Sequence, residues 1–331
     1  MEYIIADIRL ELPDRLIPPR FAGALSSFAP IHRGEPDPEA RRPGGSDRHE
    51  AIIPPGLPIP TAALRQTEGI RRSPGWHELL RFDFAEAEAD CRFGRDPKGW
   101  LLEMAPRRSG HAARFRYPAE EKTALCDYTP RLHPGLFRFG VWMLFNLTAL
   151  QHATTAMHAS ATLYRNRALL FLGESGTGKS THSRLWRENI PGAELLNDDS
   201  PILGCRRGEI RVWRSPWSGK ESCYRNESYP VAAFVRLVQS SQNRIRRLVP
   251  VEALGALLPS APPALIRDAG VCDAICSLLG DAVVRVPVYR LECRPDAEAA
   301  RLVWHTIFGT VPSECGFTPG SFPNESPLRH R

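Results

Sequence analysis

Lysine is scarce in this sequence of 331 residues. The chain contains only Lys98, Lys122, Lys179 and Lys220, against 39 arginines. Because arginine has replaced lysine at nearly every basic position, a lysine that remains is a candidate for a task that needs a compact ammonium rather than a planar guanidinium. This bias directs attention to Lys179 and Lys220.

Several other features are absent. The eight cysteines form no Cys-x-x-Cys pair, and the histidines add no metal-finger spacing, so we expect reduced thiols rather than a zinc module. The longest apolar run, over residues 137–150, is too short for a membrane span and contains Arg138. The net charge of +6 comes from dispersed arginines, which does not favour nucleic-acid binding. No signal peptide is recognisable, so the sequence predicts a cytoplasmic protein without a nucleic-acid or membrane partner.

With 42% apolar residues, the chain has enough hydrophobic material for a sizeable core. We expect a β-rich N-terminal region over 1–134, a catalytic domain over 135–308 and a disordered tail over 309–331. Residues near 33–50 are rich in proline, glycine, arginine and acid, which predicts a disordered loop. Residues with strand-like alternation support the β-rich prediction, and they occur at 1–12, 99–104, 111–117 and 123–128.

The most informative stretch covers residues 173–181, which follow an apolar strand pattern at 168–172 and precede a helical pattern. It matches the phosphate-binding P-loop and reads Gly173, Glu174, Ser175, Gly176, Thr177, Gly178, Lys179, Ser180 and Thr181. Glycines allow a tight turn with inward amides, and the following helix adds the positive end of its dipole. The pattern predicts that Lys179 reaches the phosphates of a nucleotide and that the Ser180 hydroxyl binds Mg²⁺.

An acidic pair, Asp198 and Asp199, ends a predicted strand over 193–201. We expect this strand to lie beside the P-loop strand, with its carboxylates at the phosphate end. Two acids there suit two tasks, namely holding Mg²⁺ and accepting a proton from an attacking hydroxyl. We assign Asp198 as the base and Asp199, with Ser180, to the metal, while a solvated turn is the alternative.

Three further residues complete the predicted site. A helix over 134–154 leads into a strand over 157–163, which forms a hairpin with the P-loop strand and brings His158 to one end of the same sheet. Lys220 follows a glycine in a loop that could close over the phosphates, and Arg225 could share that task. The alternative for His158 is a buried structural histidine, and the alternative for Lys220 is a surface turn held by Trp217.

Together, His158-x-Ser, the P-loop and the Leu-x-Asn-Asp-Asp motif ending at Asp199 resemble the HPr kinase/phosphorylase family, which is related to phosphoenolpyruvate carboxykinases. The resemblance covers 157–305, and Trp217-Ser-Gly-Lys-Glu and Arg225-Asn-Glu are similar to an uncharacterised branch of it. It implies an α/β fold with a P-loop-containing HPr kinase/PEP carboxykinase-like core. It also implies nucleotide and metal binding by Lys179 and Ser180, with one acid as base and the histidine beside it.

Two departures concern the substrate. The first 130 residues do not resemble the companion domain of HPr kinases, and the second family signature, which is tied to phosphorylase activity, is missing after the acidic pair. The resemblance therefore implies a kinase that uses ATP and Mg²⁺ to phosphorylate a hydroxyl, on a serine of a protein, a peptide or a free amino acid. A nucleotide-binding regulatory protein without turnover and a carboxykinase-like enzyme are the alternatives, and a homo-oligomer is an option.

Overall fold

A computed structural model describes residues 1–30, 59–119, 123–219 and 223–309. Over these ranges the chain has a mixed α/β fold with two large sheets. The strands are β1 (Glu2–Ile5), β2 (Ile8–Glu11), β3 (Thr61–Gln66), β4 (His77–Phe84), β5 (Ala89–Asp96), β6 (Gly99–Pro106), β7 (Ala113–Pro118), β8 (Thr123–Asp127), β9 (Thr154–Ala156), β10 (Ala159–Tyr164), β11 (Arg167–Leu172), β12 (Glu194–Asp199), β13 (Ile202–Arg206), β14 (Glu209–Trp213), β15 (Ser228–Gln239), β16 (Arg244–Arg247) and β17 (Val288–Cys293). The helices are α1 (Pro19–Leu25), α2 (Pro134–Leu150), α3 (Lys179–Asn189), α4 (Pro250–Leu257), α5 (Ala269–Arg285) and α6 (Ala297–Phe308).

Three predicted features lie outside the described residues. They are the loop near 33–50, the side chain of Lys220 and the tail beyond Gly309. None of the described helices is long and apolar enough to cross a membrane.

The first sheet has eight strands in the order β1-β2-β3-β8-β7-β6-β5-β4. Its pairs are antiparallel except β2 with β3 and β3 with β8, which are parallel. The single strand predicted over 1–12 is instead a hairpin of β1 and β2, because Ala6 and Asp7 adopt φ values of 48° and 63° and reverse the chain. Hydrophobic alternation by itself does not reveal such a turn, since neither residue is a glycine.

The second sheet runs β12-β10-β11-β15-β14-β13-β9, and β17 pairs with β15 and β16. The prediction that the acidic strand lies beside the P-loop strand is wrong, because β10 lies between β12 and β11. Since β10 is antiparallel to both, β12 and β11 point in the same direction and end at the same edge. The acidic pair therefore still reaches the P-loop end of the sheet, one strand further away.

The apolar run of β11 is explained by burial on both faces. Ala168, Leu170 and Leu172 belong to the main core, which extends from the first sheet to the second. Leu169 and Phe171 point to the opposite face, where they pack in a smaller cluster with residues of α3 and α6. A strand covered on both sides needs no polar face, which is why its sequence shows no alternation.

Helix α2 joins the two sheets through aromatic contacts. The ring of Phe137 lies 6.3 Å from that of Phe115 in the first sheet, and the ring of Phe145 lies 5.2 Å from that of Trp217 beside the second. The close approach of α2 to β7 requires Gly140, because a Cβ at this position would lie 2.4 Å from the Phe115 ring. The helix thus fixes how residues of the N-terminal part face the P-loop sheet.

The sequence patterns near the C-terminal end predict a helix over 264–279 and a strand over 283–292, and both elements begin later in the structure. Helix α5 begins after Asp268, whose side chain accepts a hydrogen bond from the amide of Val271, and it continues to Arg285. A strand predicted from residue 283 therefore begins only at Val288, as β17. Pro287 explains the change, because the residue before a proline is disfavoured in the helical conformation.

Candidate active site

The predicted P-loop, residues 173–181, connects the end of β11 to the first turn of α3. The ammonium of Lys179 donates hydrogen bonds to the carbonyl oxygens of Gly173 at 2.8 Å and Glu174 at 3.1 Å. Lys179 is buried, with 9% of its surface exposed, and it begins the helix. The ammonium and the helix N-terminus therefore place positive charge within the same loop, where an anion is favoured.

Two loop positions require glycine. A Cβ at Gly173 would lie 2.3 Å from Oγ1 of Thr177, which itself donates a hydrogen bond to the Glu174 carbonyl at 2.8 Å. Gly178 precedes the helix with φ of 100°, a conformation that L side chains rarely adopt. These constraints account for the glycines that the sequence motif contains.

The remaining predicted nucleotide-binding residues lie around the same loop. Glu174 and Ser175 are exposed, and Thr181 lies in the first turn of α3. The carbonyl of Gly176 accepts a hydrogen bond from Gln239 at the end of β15, at 3.2 Å. Their part in nucleotide binding remains a prediction.

The acidic pair meets the P-loop through Asp198. Its Oδ1 accepts a hydrogen bond of 2.9 Å from the hydroxyl of Ser180, the residue after Lys179. This contact joins the end of β12 to the first turn of α3. Asp199, by contrast, faces another partner, so the two acids have different surroundings.

That partner is His158, which directly precedes β10. Its Nε2 lies 3.7 Å from Oδ1 of Asp199. The predicted position of His158 at the end of the P-loop sheet is thus confirmed. Asp199 adopts φ of 102°, and aspartate is among the few residues besides glycine that occupy positive φ with some frequency.

The electrostatics of this pair follow from the protein atoms and charges around it. Although 58% of the Asp199 side-chain surface remains accessible, surrounding protein atoms exclude much of the bulk water, and this loss of solvation raises the pKa of Asp199. Reduced solvation and then the charge of Lys179 lower the pKa of His158. His158 is therefore neutral at pH 7, and Asp199 is a stronger base than an ordinary aspartate.

Lys179 also has a depressed pKa, for which burial is the main cause. The two carboxylates oppose that shift, whereas the charge of Arg236 adds to it. Arg236 lies on β15 opposite Leu172, the last residue of β11, and its Nη2 is 3.6 Å from Oε1 of Glu174. Sequence patterns do not identify Arg236, because only the pairing of β15 with β11 brings it to the loop.

Buried hydrogen bonds hold these elements in place. The hydroxyls of Ser160 on β10 and Ser183 on α3 are 2.6 Å apart, which ties the P-loop helix to the strand after His158. The side chain of Asn197 accepts from the amide of Ser200 at 3.1 Å and thereby bridges the acidic pair. Both bonds are shielded from water, so they stabilise the positions of His158, Asp198 and Asp199.

The segment before Lys220 lies against the acidic pair. The amide of Gly219 donates to the carbonyl of Asp198 at 2.5 Å, and the hydroxyl of Ser218 donates to the same carbonyl at 3.3 Å. Lys220 itself is outside the described residues, so its predicted role is not tested. Arg225 is exposed, and its predicted part at the phosphates stays a prediction.

A cavity of about 330 Å³ opens beside His158 and Asp199. Its wall combines residues of α2 with Phe84 from the end of the first sheet and with the segment around Ser260. The site is thus built by both sheets, which sequence patterns did not indicate.

Within the described ranges, no group of three or more histidine, cysteine, aspartate or glutamate side chains could hold a metal. A cation at this site would therefore depend on fewer carboxylates. The hydroxyl of Ser180 and the carboxylate of Asp198 are the oxygen donors that lie together next to the P-loop.

Comparisons with known proteins give little further information. No family model matches the sequence, and no curated protein matches it significantly. Among solved structures, the chain is similar to the Hpr(Ser) kinase/phosphatase from Coxiella burnetii, with 15% sequence identity and a TM-score of 0.30. The match covers 46% of this chain and 88% of that chain. This similarity is too weak to indicate a function.

Proposed function

We propose that the protein is an ATP-dependent and Mg²⁺-dependent kinase that phosphorylates a hydroxyl group, such as that of a serine. The second sheet with α3 would then be a P-loop core of the HPr kinase and PEP carboxykinase type. The observation that carries the proposal is the contact of Ser180 with Asp198 beside Lys179, together with Asp199 and His158 at the neighbouring cavity. Ser180 and Asp198 beside Lys179 suit a metal-bound polyphosphate, whereas Asp199 and His158 at the cavity suit an acceptor hydroxyl.

Ser180 and Asp198 fit Mg²⁺. This ion prefers oxygen ligands and is usually bound by one or two carboxylates together with phosphates and water. When bound, it would neutralise part of the phosphate charge. We therefore assign Asp198 to the metal, in place of the Asp199 of the sequence prediction, because Asp198 is the acid that contacts Ser180.

Asp199 is then the proposed base. Its raised pKa strengthens it as a proton acceptor, and it lines the cavity that an acceptor would enter. Asp199 accepts the hydroxyl proton as the acceptor oxygen bonds to the γ-phosphorus of ATP. The bond from that phosphorus to the β,γ-bridging oxygen breaks, and ADP leaves with the electron pair. Neutral His158 orients Asp199, while Lys179 and Arg236 supply positive charge near the phosphates.

The test measures metal-dependent phosphoryl transfer from ATP to serine, seryl peptides and other small hydroxy compounds by ³¹P NMR, with nucleotide affinity determined by calorimetry. Lys179→Ala should weaken ATP binding by at least about tenfold, because charged hydrogen bonds contribute roughly 1.5–3 kcal/mol each. Lys179→Arg should also fail, since a planar guanidinium does not fit a site built for an ammonium.

Lys98→Ala is the matched control, because Lys98 is exposed in the turn between β5 and β6. Unchanged ATP binding and turnover in Lys179→Ala would show that the P-loop assignment is wrong. If the parent protein binds Mg-ATP but transfers phosphate to no hydroxyl, the regulatory alternative is favoured. Turnover with oxaloacetate would instead favour a carboxykinase-like enzyme.

A further inference from the structure

The cavity beside Asp199 has the size of a small-molecule site. Its volume of about 330 Å³ lies at the lower end of the roughly 300–1,000 Å³ that is typical for bound small ligands. His158 and Asp199 lie on one side of it, so a ligand inside would be next to the proposed base. A whole protein domain would not fit, although a small compound would.

Arg138 is the unexplained charge in this cavity. It projects from α2, is half-buried and lines the wall. Its Nη2 donates to the carbonyl of Ser218 at 2.9 Å, and its charge acts on Asp199 across the cavity, where it opposes the rise in the pKa of that carboxyl. Among the residues that the structure describes, however, no carboxylate lies close enough to Arg138 to form an ion pair. A half-buried guanidinium that bonds directly to one carbonyl and to no carboxylate among the described residues has donors left for an anion, and a carboxylate matches its planar geometry.

Another part of the cavity wall is aromatic rather than charged. The rings of Phe139 and Trp142 are stacked, with centroids 5.6 Å apart and an angle of 18° between their planes. Phe84 extends this aromatic surface, since its ring lies 5.4 Å from that of Phe139. Such a surface favours an apolar or aromatic group.

Two further polar side chains, Ser260 and Glu86, also line the cavity. Ser260 is 2% exposed, and its hydroxyl has no hydrogen-bond partner among the described residues, so a ligand group could satisfy it. Glu86 also lines the cavity but is exposed to solvent, where its charge is screened. Arg138 is therefore the half-buried cation of this cavity wall, and it has donors that no carboxylate of the described residues contacts directly.

We propose that this cavity binds the phosphoryl acceptor and that the acceptor is a small hydroxy acid with an apolar group. Arg138 binds its carboxylate, the surface of Phe139 and Trp142 holds its apolar group, and its hydroxyl faces Asp199. This inference rests on the kinase function proposed above, which it extends by naming the class of acceptor.

The test uses N-benzoyl-L-serine and its primary amide, which differ only in the carboxylate. Binding of each to the full chain with Mg-ADP is measured by calorimetry. The acid should bind about 10- to 100-fold more tightly than the amide, because a charge-assisted pair is lost in the amide. Arg138→Gln should weaken binding of the acid by a similar factor and leave little discrimination between the two ligands.

Controls separate binding from folding. Arg138→Lys keeps the charge and should retain part of the preference for the acid, and thermal melts identify any variant that unfolds. Arg65→Gln alters an exposed arginine on β3 and should leave both affinities unchanged. L-Serine, which lacks the apolar group, should bind more weakly than N-benzoyl-L-serine.

The outcomes distinguish the two proposals. Equal binding of acid and amide, binding of neither, or a preference that survives Arg138→Gln would overturn the acceptor assignment. Kinase activity on hydroxyl compounds without any dependence on a carboxylate would overturn it too, while leaving the proposed function intact. Arg138-dependent binding of the acid, with no phosphoryl transfer to any of the hydroxyl compounds tested, would support a carboxylate site and contradict the kinase function.

Discussion

Asp199→Asn separates proton transfer from nucleotide binding. Asparagine has nearly the same shape and tolerates the φ of 102° at this position, so the backbone should not change. A positioned general base contributes roughly 10²- to 10⁴-fold to a rate. Because His158 lies 3.7 Å from Asp199 and can accept a proton in its place, we expect a loss in the lower part of that range, about 10²- to 10³-fold in kcat. By the usual conversion, this is about 3–4 kcal/mol of transition-state stabilisation.

The assay is steady-state kinetics with an accepted hydroxyl substrate, together with calorimetry of Mg-ATP. ATP affinity should be kept in Asp199→Asn, whereas Asp198→Asn should raise the Mg²⁺ concentration needed for turnover. In the parent protein, kcat/KM should fall as the pH decreases through the raised pKa of Asp199, and this acid limb should lie above the usual value of 3.8.

Unfolding should not explain the loss. Because the folded protein raises the pKa of Asp199, its ionised carboxylate lowers stability above the unfolded value, and the asparagine variant should be at least as stable at pH 7. Asp273→Asn, at an exposed position on α5, is the matched control. Nearly unchanged kcat in Asp199→Asn, with a pH profile like that of the parent, would refute the assignment of Asp199 as base.

Two further substitutions test the loops around the site. Gly173→Ala should lower ATP affinity by at least about tenfold, because its Cβ would lie 2.3 Å from Oγ1 of Thr177; calorimetry measures this, and Gly255→Ala, with open space around it, should have no effect. Lys220→Ala should depress turnover more than ATP affinity, if its charge acts mainly on the transferring phosphoryl group. Unchanged kinetics, or a loss matched by thermal unfolding, would contradict a catalytic part for Lys220.

The sequence by itself was sufficient for the glycine-rich loop at 173–181 and for the strand and helix that flank it. Residues 173–181 are consecutive, and their glycines and lysine act through local backbone geometry, so no distant contact is needed to recognise them. His158 and the acidic pair were also predicted to lie near the loop, because short connections leave the hairpin and the next strand little choice of position.

Only the tertiary structure decided the remaining features. The order β12-β10-β11 depends on which strands pair, and several pairings are compatible with the same hydrophobic pattern. That pairing brings Arg236 to the P-loop, and the packing of α2 brings Arg138 to the cavity with residues of the first sheet. Both arginines belong to a set of 39, so composition does not distinguish them. Their surroundings are set by long-range packing, which local sequence does not encode.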